Sequence, residues 1–167
     1  MGRLPVLLLA ATGLLLAQSQ PKTIVYGRAG PSQIQLFVSN ADGTAERPLL
    51  ASASLDYNPA WSPDGQWIVF TSERNGSADL YRVKPDGTGL QRLTTNRAYE
   101  DQADVSPDGQ KLAFVSTRAD GTADLSIRDL RTNRETPLTS GLSGDFRPAW
   151  SPDGKWIAFS SDRGTTV

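Results

Sequence analysis

Three short apolar runs in this chain do not alternate with polar residues: Trp67-Ile-Val-Phe70, Leu112-Ala-Phe-Val115 and Trp156-Ile-Ala-Phe159. A strand with one wetted face alternates, so an unbroken run predicts a strand buried on both faces, within a sheet sandwiched between two others. One face would carry Ile68, Leu112 and Ile157 with Phe70, Phe114 and Phe159. The other would carry Val69, Ala113 and Ala158, small enough for a neighbouring sheet to approach closely.

The same tetrapeptide precedes each run. Ser-Pro-Asp-Gly begins at Ser62, Ser106 and Ser151, a spacing of 44 then 45 residues. Pro is pre-set for a type I turn, Asp bonds its own backbone, and Gly takes a position that needs φ > 0. The turn joins a short first strand to the apolar second strand. Around it, residues 56–95 read as a four-stranded meander with strands Pro59–Ser62, Trp67–Ser72, Asp79–Val83 and Leu90–Thr94. Its connections are short and carry Gly, so successive strands pair antiparallel. Residues 100–139 repeat the unit, with Thr132-Asn133 in place of the last Asp-Gly turn. Residues 23–50 match the second to fourth strands of the unit, and residues 145–163 its first two. The expected strand content is therefore three, four, four and two. A four-stranded meander at this period is a propeller blade, and the fold class is all-β.

Residues 1–19 stand apart from the repeats. Arg3 precedes the apolar run Leu4–Leu16, and Ala17-Gln-Ser19 has the small-x-small form of a cleavage site. The run is shorter than the ~20 residues a spanning helix needs. It reads as a signal peptide, with no membrane span left after its removal. The expected location is periplasmic or secreted.

Composition narrows the chemistry. The chain of 167 residues has no cysteine and no histidine, and its formal net charge is −1. Disulfides, thiol nucleophiles, Cys/His zinc sites and a Ser-His-Asp triad are excluded. No basic field favours nucleic acid. No cofactor, metal or catalytic residue is assigned.

Asp-Tyr-Asn-Pro-Ala-Trp-Ser-Pro-Asp-Gly-Gln-Trp-Ile-Val-Phe-Thr-Ser-Glu-Arg (56–74), then Asp79-Leu-Tyr, Asp86-Gly and Leu93-Thr, resembles the repeat of TolB-type propellers, as does 145–163. The resemblance covers about 23–163. It implies a six-bladed parent fold and an exported, non-catalytic scaffold that binds a protein or peptide at its channel face through loops. Blade-like sequence starts within a few residues of the signal-like run, so no counterpart of the family's preceding α/β domain is expected, and the chain is expected to be an incomplete propeller. As an open arc it would expose the flank of its last blade, which favours self-association. The same repeat precedes prolyl-oligopeptidase-like and tricorn-like serine peptidases. The alternative is therefore a peptidase's N-terminal propeller, with its catalytic domain outside this chain.

Two recurrences are candidates for chemistry. Asp56, Asp101 and Asp145 precede the turns, and Arg74, Arg118 and Arg163 follow the second strands. At the starts of channel-lining strands the carboxylates could rim the channel mouth and hold a cation or a basic tail. Recurrence in every unit favours the other reading, in which Asp and Arg tie loops and adjacent blades together, because a site needs different residues on different blades. The turn acids Asp64, Asp86, Asp108 and Asp153 read as turn formers, since calcium wants several oxygens from one loop. Asp120 and Asp124 lie in a hairpin loop equivalent to Asn75–Asp79. Trp61, Trp67, Trp150 and Trp156 read as core or blade-edge residues.

Overall fold

The computed structural model describes residues 23–30, 33–96, 98–117 and 121–163. The signal-like residues 1–19 lie outside this set. Among the described residues thirteen strands follow in order: β1 Thr23–Ala29, β2 Ile34–Asn40, β3 Arg47–Pro48, β4 Asp56–Trp61, β5 Ile68–Ser72, β6 Asp79–Val83, β7 Gln91–Arg92, β8 Tyr99–Val105, β9 Lys111–Thr117, β10 Ala123–Asp129, β11 Glu135–Pro137, β12 Asp145–Trp150 and β13 Ile157–Ser161. They form four antiparallel sheets: β1-β2-β3, β4-β5-β6-β7, β8-β9-β10-β11 and β12-β13. No helix occurs among the described residues.

The turn works as its composition requires. Ser62 Oγ donates to Asp64 Oδ1 at 2.6 Å and accepts from Trp67 N at 2.9 Å, while Gln66 N donates to the same carboxylate oxygen at 3.0 Å. Ser106–Asp108 and Ser151–Asp153 repeat the 2.6 Å bond. The turn carboxylates are thus occupied by their own loops. The Ser62 bond, ahead of the backbone bond from Gln66, holds Asp64 below the usual carboxylate range. Asp86 is held down in the same way by Thr88. Asn133 takes the left-handed region at φ 60°, which its short polar side chain tolerates.

Each unit lays its bulky face on the small face of the unit before it. Ile68, Phe70, Tyr81 and Val83 pack with Leu36, Val38 and Leu49 of the first sheet. On the opposite face, Val69, Leu80 and Leu93 pack with Val105, Leu112 and Phe114 of the third. β5 is buried along its whole length, as a sandwiched strand should be.

Three expectations are corrected. The outermost strand of the second unit is two residues, Gln91–Arg92, rather than Leu90–Thr94. It is a sheet edge with one partner, and Leu90 is left exposed. The first strand of that unit starts earlier, at Asp56 instead of Pro59, because the pairing continues past a bulge to Asp56↔Ser72. Third, β13 is not buried on both faces. Phe70 and Phe114 are 0% exposed, but Phe159 at the same repeat position is 39% exposed. Among the described residues no third strand and no following sheet cover it.

Candidate functional site

The first strands β4, β8 and β12 are the inner edges of their sheets, and they neighbour one another from unit to unit. Each has the same bulge. Between the pairs Tyr57↔Thr71 and Ala60↔Val69, two residues of β4 oppose one of β5. The same irregularity follows Asp101 in β8 and Phe146 in β12. The first bulged residue is left-handed in all three: Asn58 at φ 49°, Gln102 at φ 54° and Arg147 at φ 53°. None is glycine, so each carries a strain of ~1–2 kcal/mol that the surrounding ladder must hold. A bulge re-aims its side chain, and these three sit on first strands that neighbour one another.

The Asp–Arg recurrence is structural in two of its three occurrences. Asp56 is 1% exposed, and Arg74 Nη2 donates to both its oxygens at 2.9 and 3.1 Å. Arg74 Nε also donates to Ser72 Oγ at 2.8 Å, and its guanidinium lies 4.9 Å from the Tyr81 ring centre. Asp145 is 2% exposed, with Arg163 Nη2 3.0 Å away. Burial works to raise the Asp145 pKa. The Ser161 and Thr139 hydroxyls and the Arg163 cation outweigh it, and the carboxyl sits below its usual range. Arg118 and Asp120 lie outside the described residues. Asp124 is buried within β10.

Asp101 does not belong to this register. Ladder position shows Glu100 opposite Ser116, where Asp56 faces Ser72 and Asp145 faces Ser161. Matching Asp with Asp by residue type is therefore one position out. The counted distance to the Ser-Pro-Asp-Gly turn, six residues in every unit, finds Glu100. Glu100 is fully buried and accepts from Asn96 Nδ2. Burial, aided by the Glu135 and Asp79 charges, pushes its pKa up against the Thr94 and Asn96 hydrogen bonds.

Asp101 instead bridges units. Its Oδ1 accepts from Asn58 Nδ2, Thr71 Oγ1 and its neighbour Gln102 N, each at 2.7 Å. Two further bonds join the next pair of first strands. Arg147 N donates to Gln102 Oε1 at 2.8 Å, and Trp150 N donates to Asp104 Oδ2 at 2.7 Å. Beside them the hydroxyls of Tyr57 and Tyr99 meet at 2.7 Å, and Tyr57 donates to Glu73 Oε1 at 3.0 Å. Burial first, then these bonds, push the Tyr57 phenol well above its ordinary value. It is a neutral hydroxyl, unsuited to act as a base near neutrality.

Two kinds of position therefore share the inner surface. The Asp/Glu positions recur and are sequestered. Those at the bulge differ from unit to unit (Asn58, Gln102, Arg147), as do those just before it (Tyr57, Asp101, Phe146). Asn58, Tyr99 and Arg147 are exposed. Residue-type matching overlooked these residues. Their signal was variation at the fourth position before each Ser-Pro-Asp-Gly turn.

Successive antiparallel meanders stacked face to face, with their first strands bonded along one inner surface, define a β-propeller segment. The chain belongs to the TolB beta propeller domain family, whose model matches residues 21–120. The "Tol-Pal system protein TolB" of Desulfosudis oleivorans is 34% identical over 58 residues, which are 35% of this chain and 13% of that protein. The solved putative TolB from Agrobacterium tumefaciens superposes with a TM-score of 0.73 at 26% identity, covering 84% of this chain and 55% of that one. A puromycin-hydrolysing peptidase from Mycobacterium tuberculosis shares the fold at TM-score 0.61 and 17% identity, over 77% of this chain and 22% of that one. The chain thus spans about half of the solved TolB-like chain, and its match to the curated relative covers a much smaller share.

Proposed function

We propose that this protein is an exported, non-catalytic propeller scaffold that binds a protein or peptide at its channel face, in the periplasm or outside the cell. The observation that carries the reading is the division of labour on the first strands. Carboxylates that recur are buried, while the strained, left-handed residues differ between units: the Asn58 and Gln102 amides tie neighbouring first strands together, and the exposed Arg147 offers its guanidinium at the channel face. Strain held at non-repeating positions is a reason to look for function there. Tyr57 and Tyr99 add a hydroxyl pair with aromatic surface, the residue type enriched in binding hot spots. The family's name-bearing relatives in the Tol-Pal system fit a protein-binding role. The rival, a peptidase's propeller, draws on fold-level likeness alone.

The test is a photo-crosslinking amino acid placed singly at Asn58 or Arg147 in the exporting cell, with Glu46 near the outer strand β3 as control. The expected result is a discrete adduct from both channel positions and none from residue 46. Equal labelling at all three, or none at the channel positions, rejects the channel face as the binding surface.

A further inference from the structure

The chain has five asparagines, Asn40, Asn58, Asn75, Asn96 and Asn133, and only Asn75 is followed by glycine. Asparagine deamidates when the main-chain nitrogen of the next residue attacks its side-chain carbonyl carbon. A Cβ on that next residue obstructs the approach, and glycine has none. Asn58 is excluded outright, because Pro59 has no N–H to give up. Asn75 and Gly76 are both exposed, in the turn that joins β5 to β6. A Cβ added at Gly76 would meet nothing within 4 Å, so the turn is open to water and hydroxide.

Two hydrogen bonds restrain the groups that would react. Gly76 N donates to Glu73 O at 3.0 Å, which closes the turn. Asn75 Nδ2 donates to the Tyr81 hydroxyl at 2.7 Å. Tyr81 is 3% exposed and is fixed against the Phe70 ring and the Arg74 guanidinium. The attacking nitrogen must shed its proton and the leaving nitrogen must depart, so both bonds have to break.

We propose that Asn75 is a site of spontaneous covalent modification, deamidation through a cyclic imide, gated by opening of the β5–β6 turn and restrained by Tyr81. Hydroxide takes the Gly76 amide proton, and Gly76 N attacks Asn75 Cγ. The Cγ–Nδ2 bond breaks, and Nδ2 leaves as ammonia with a proton from water. Water then opens the five-membered imide. Cleavage at Cγ gives aspartate, and cleavage at the main-chain carbonyl gives isoaspartate. In sum an amide and a water become a carboxylate and an ammonium ion.

The two products differ in what the fold can keep. An aspartate here would accept from the Tyr81 hydroxyl, and the next unit already has Asp120-Gly121 at the corresponding place in its sequence. Isoaspartate lengthens the main chain before Gly76 by one carbon and so breaks the turn bond to Glu73. Glu73 also accepts from the Tyr57 hydroxyl at 3.0 Å, beside the Tyr57–Tyr99 pair. This product therefore disturbs the neighbouring end of the first strands. The chemistry belongs to the turn alone and stands whether or not a partner binds at the channel face.

The test is incubation of the purified protein at mildly alkaline pH and body temperature, followed by peptide mapping. Mass spectrometry reads the amide-to-acid mass gain at each asparagine and separates aspartate from isoaspartate. The expected result is product at Asn75 before any at Asn40, Asn96 or Asn133. Its rate should be at least about tenfold below that of the urea-unfolded chain, since the closed turn must open first. Tyr81→Phe keeps the ring and removes the hydroxyl. It should speed conversion in the folded protein roughly two- to tenfold, the range that one hydrogen bond supports. Circular dichroism and unchanged rates at the other asparagines show that the variant keeps its fold. Gly76→Ala should nearly abolish conversion in the unfolded chain, which identifies the attacking nitrogen without asking that variant to fold. No product at Asn75 in the folded protein, while the unfolded chain converts, overturns the proposal. So do equal rates in the folded and unfolded chains, and so does an unchanged rate in folded Tyr81→Phe. Where Tyr81→Phe does not fold, the folded-to-unfolded rate ratio of the parent decides.

Discussion

Asn58 Nδ2 lies 2.7 Å from Asp101 Oδ1, a bond from the first strand of one unit to the first strand of the next. The same oxygen takes the Thr71 hydroxyl at 2.7 Å, and Thr71 is 0% exposed. One carboxylate therefore joins two sheets that also share the Tyr57–Tyr99 hydroxyl pair, a backbone bond from Glu100 N to Ala78 O, and an apolar interface.

Asp101→Ala should lower stability by about 2–4 kcal/mol, because it strands a fully buried hydroxyl and removes charge-assisted bonds. The measurement is the urea midpoint with the m-value held constant. A midpoint within error of the parent would mean that the Asp101 link contributes nothing.

Phe70→Ala and Phe159→Ala remove the same side chain from the same repeat position. Phe70 is fully enclosed, so its loss should cost about 3–5 kcal/mol. Phe159 is 39% exposed, and its loss should cost about 1 kcal/mol or less. Equal costs in denaturant unfolding would show that β13 is covered in solution.

Glu100 sets a pH dependence of definite sign. Its pKa is raised in the folded protein, chiefly by burial, from an ordinary value of 4.5. Its favourable contribution is complete below that ordinary value and is lost as pH rises through the higher folded value. Glu100→Gln should therefore gain stability relative to the parent with rising pH, and the difference should close towards about pH 4. Unfolding midpoints across this range give the sign directly; a variant that loses ground as pH rises contradicts the buried, poorly compensated carboxyl.

Two glycines separate backbone strain from crowding. Gly65 has φ 67° and open space around an added Cβ, so Gly65→Ala should cost only the left-handed strain of about 1 kcal/mol. Gly87 has φ 86°, and a Cβ there would meet the Leu49 carbonyl oxygen at 2.6 Å. Gly87→Ala should cost markedly more, since the obstacle is the backbone of the preceding unit. Similar melting temperatures for the two variants would remove that inter-unit contact from the account.

The repeat, its Ser-Pro-Asp-Gly turns, the all-β class and the bulky and small faces of the second strands were legible in the residues themselves. They depend on contacts that close within a few positions, such as Ser62 with Asp64 and Trp67, or on side-chain size read along one strand. Tertiary structure decided the rest. The ladder puts Glu100 at the Asp56 and Asp145 position, which the six-residue count to the turn also gives although residue type hides it, but only the packing of sheets shows Asp101 bonded to Asn58 and Thr71 of the preceding unit. Which of Phe70, Phe114 and Phe159 is buried depends on whether another sheet lies against it. Residue type cannot supply that, because burial belongs to a pair of surfaces and each strand carries only one of them.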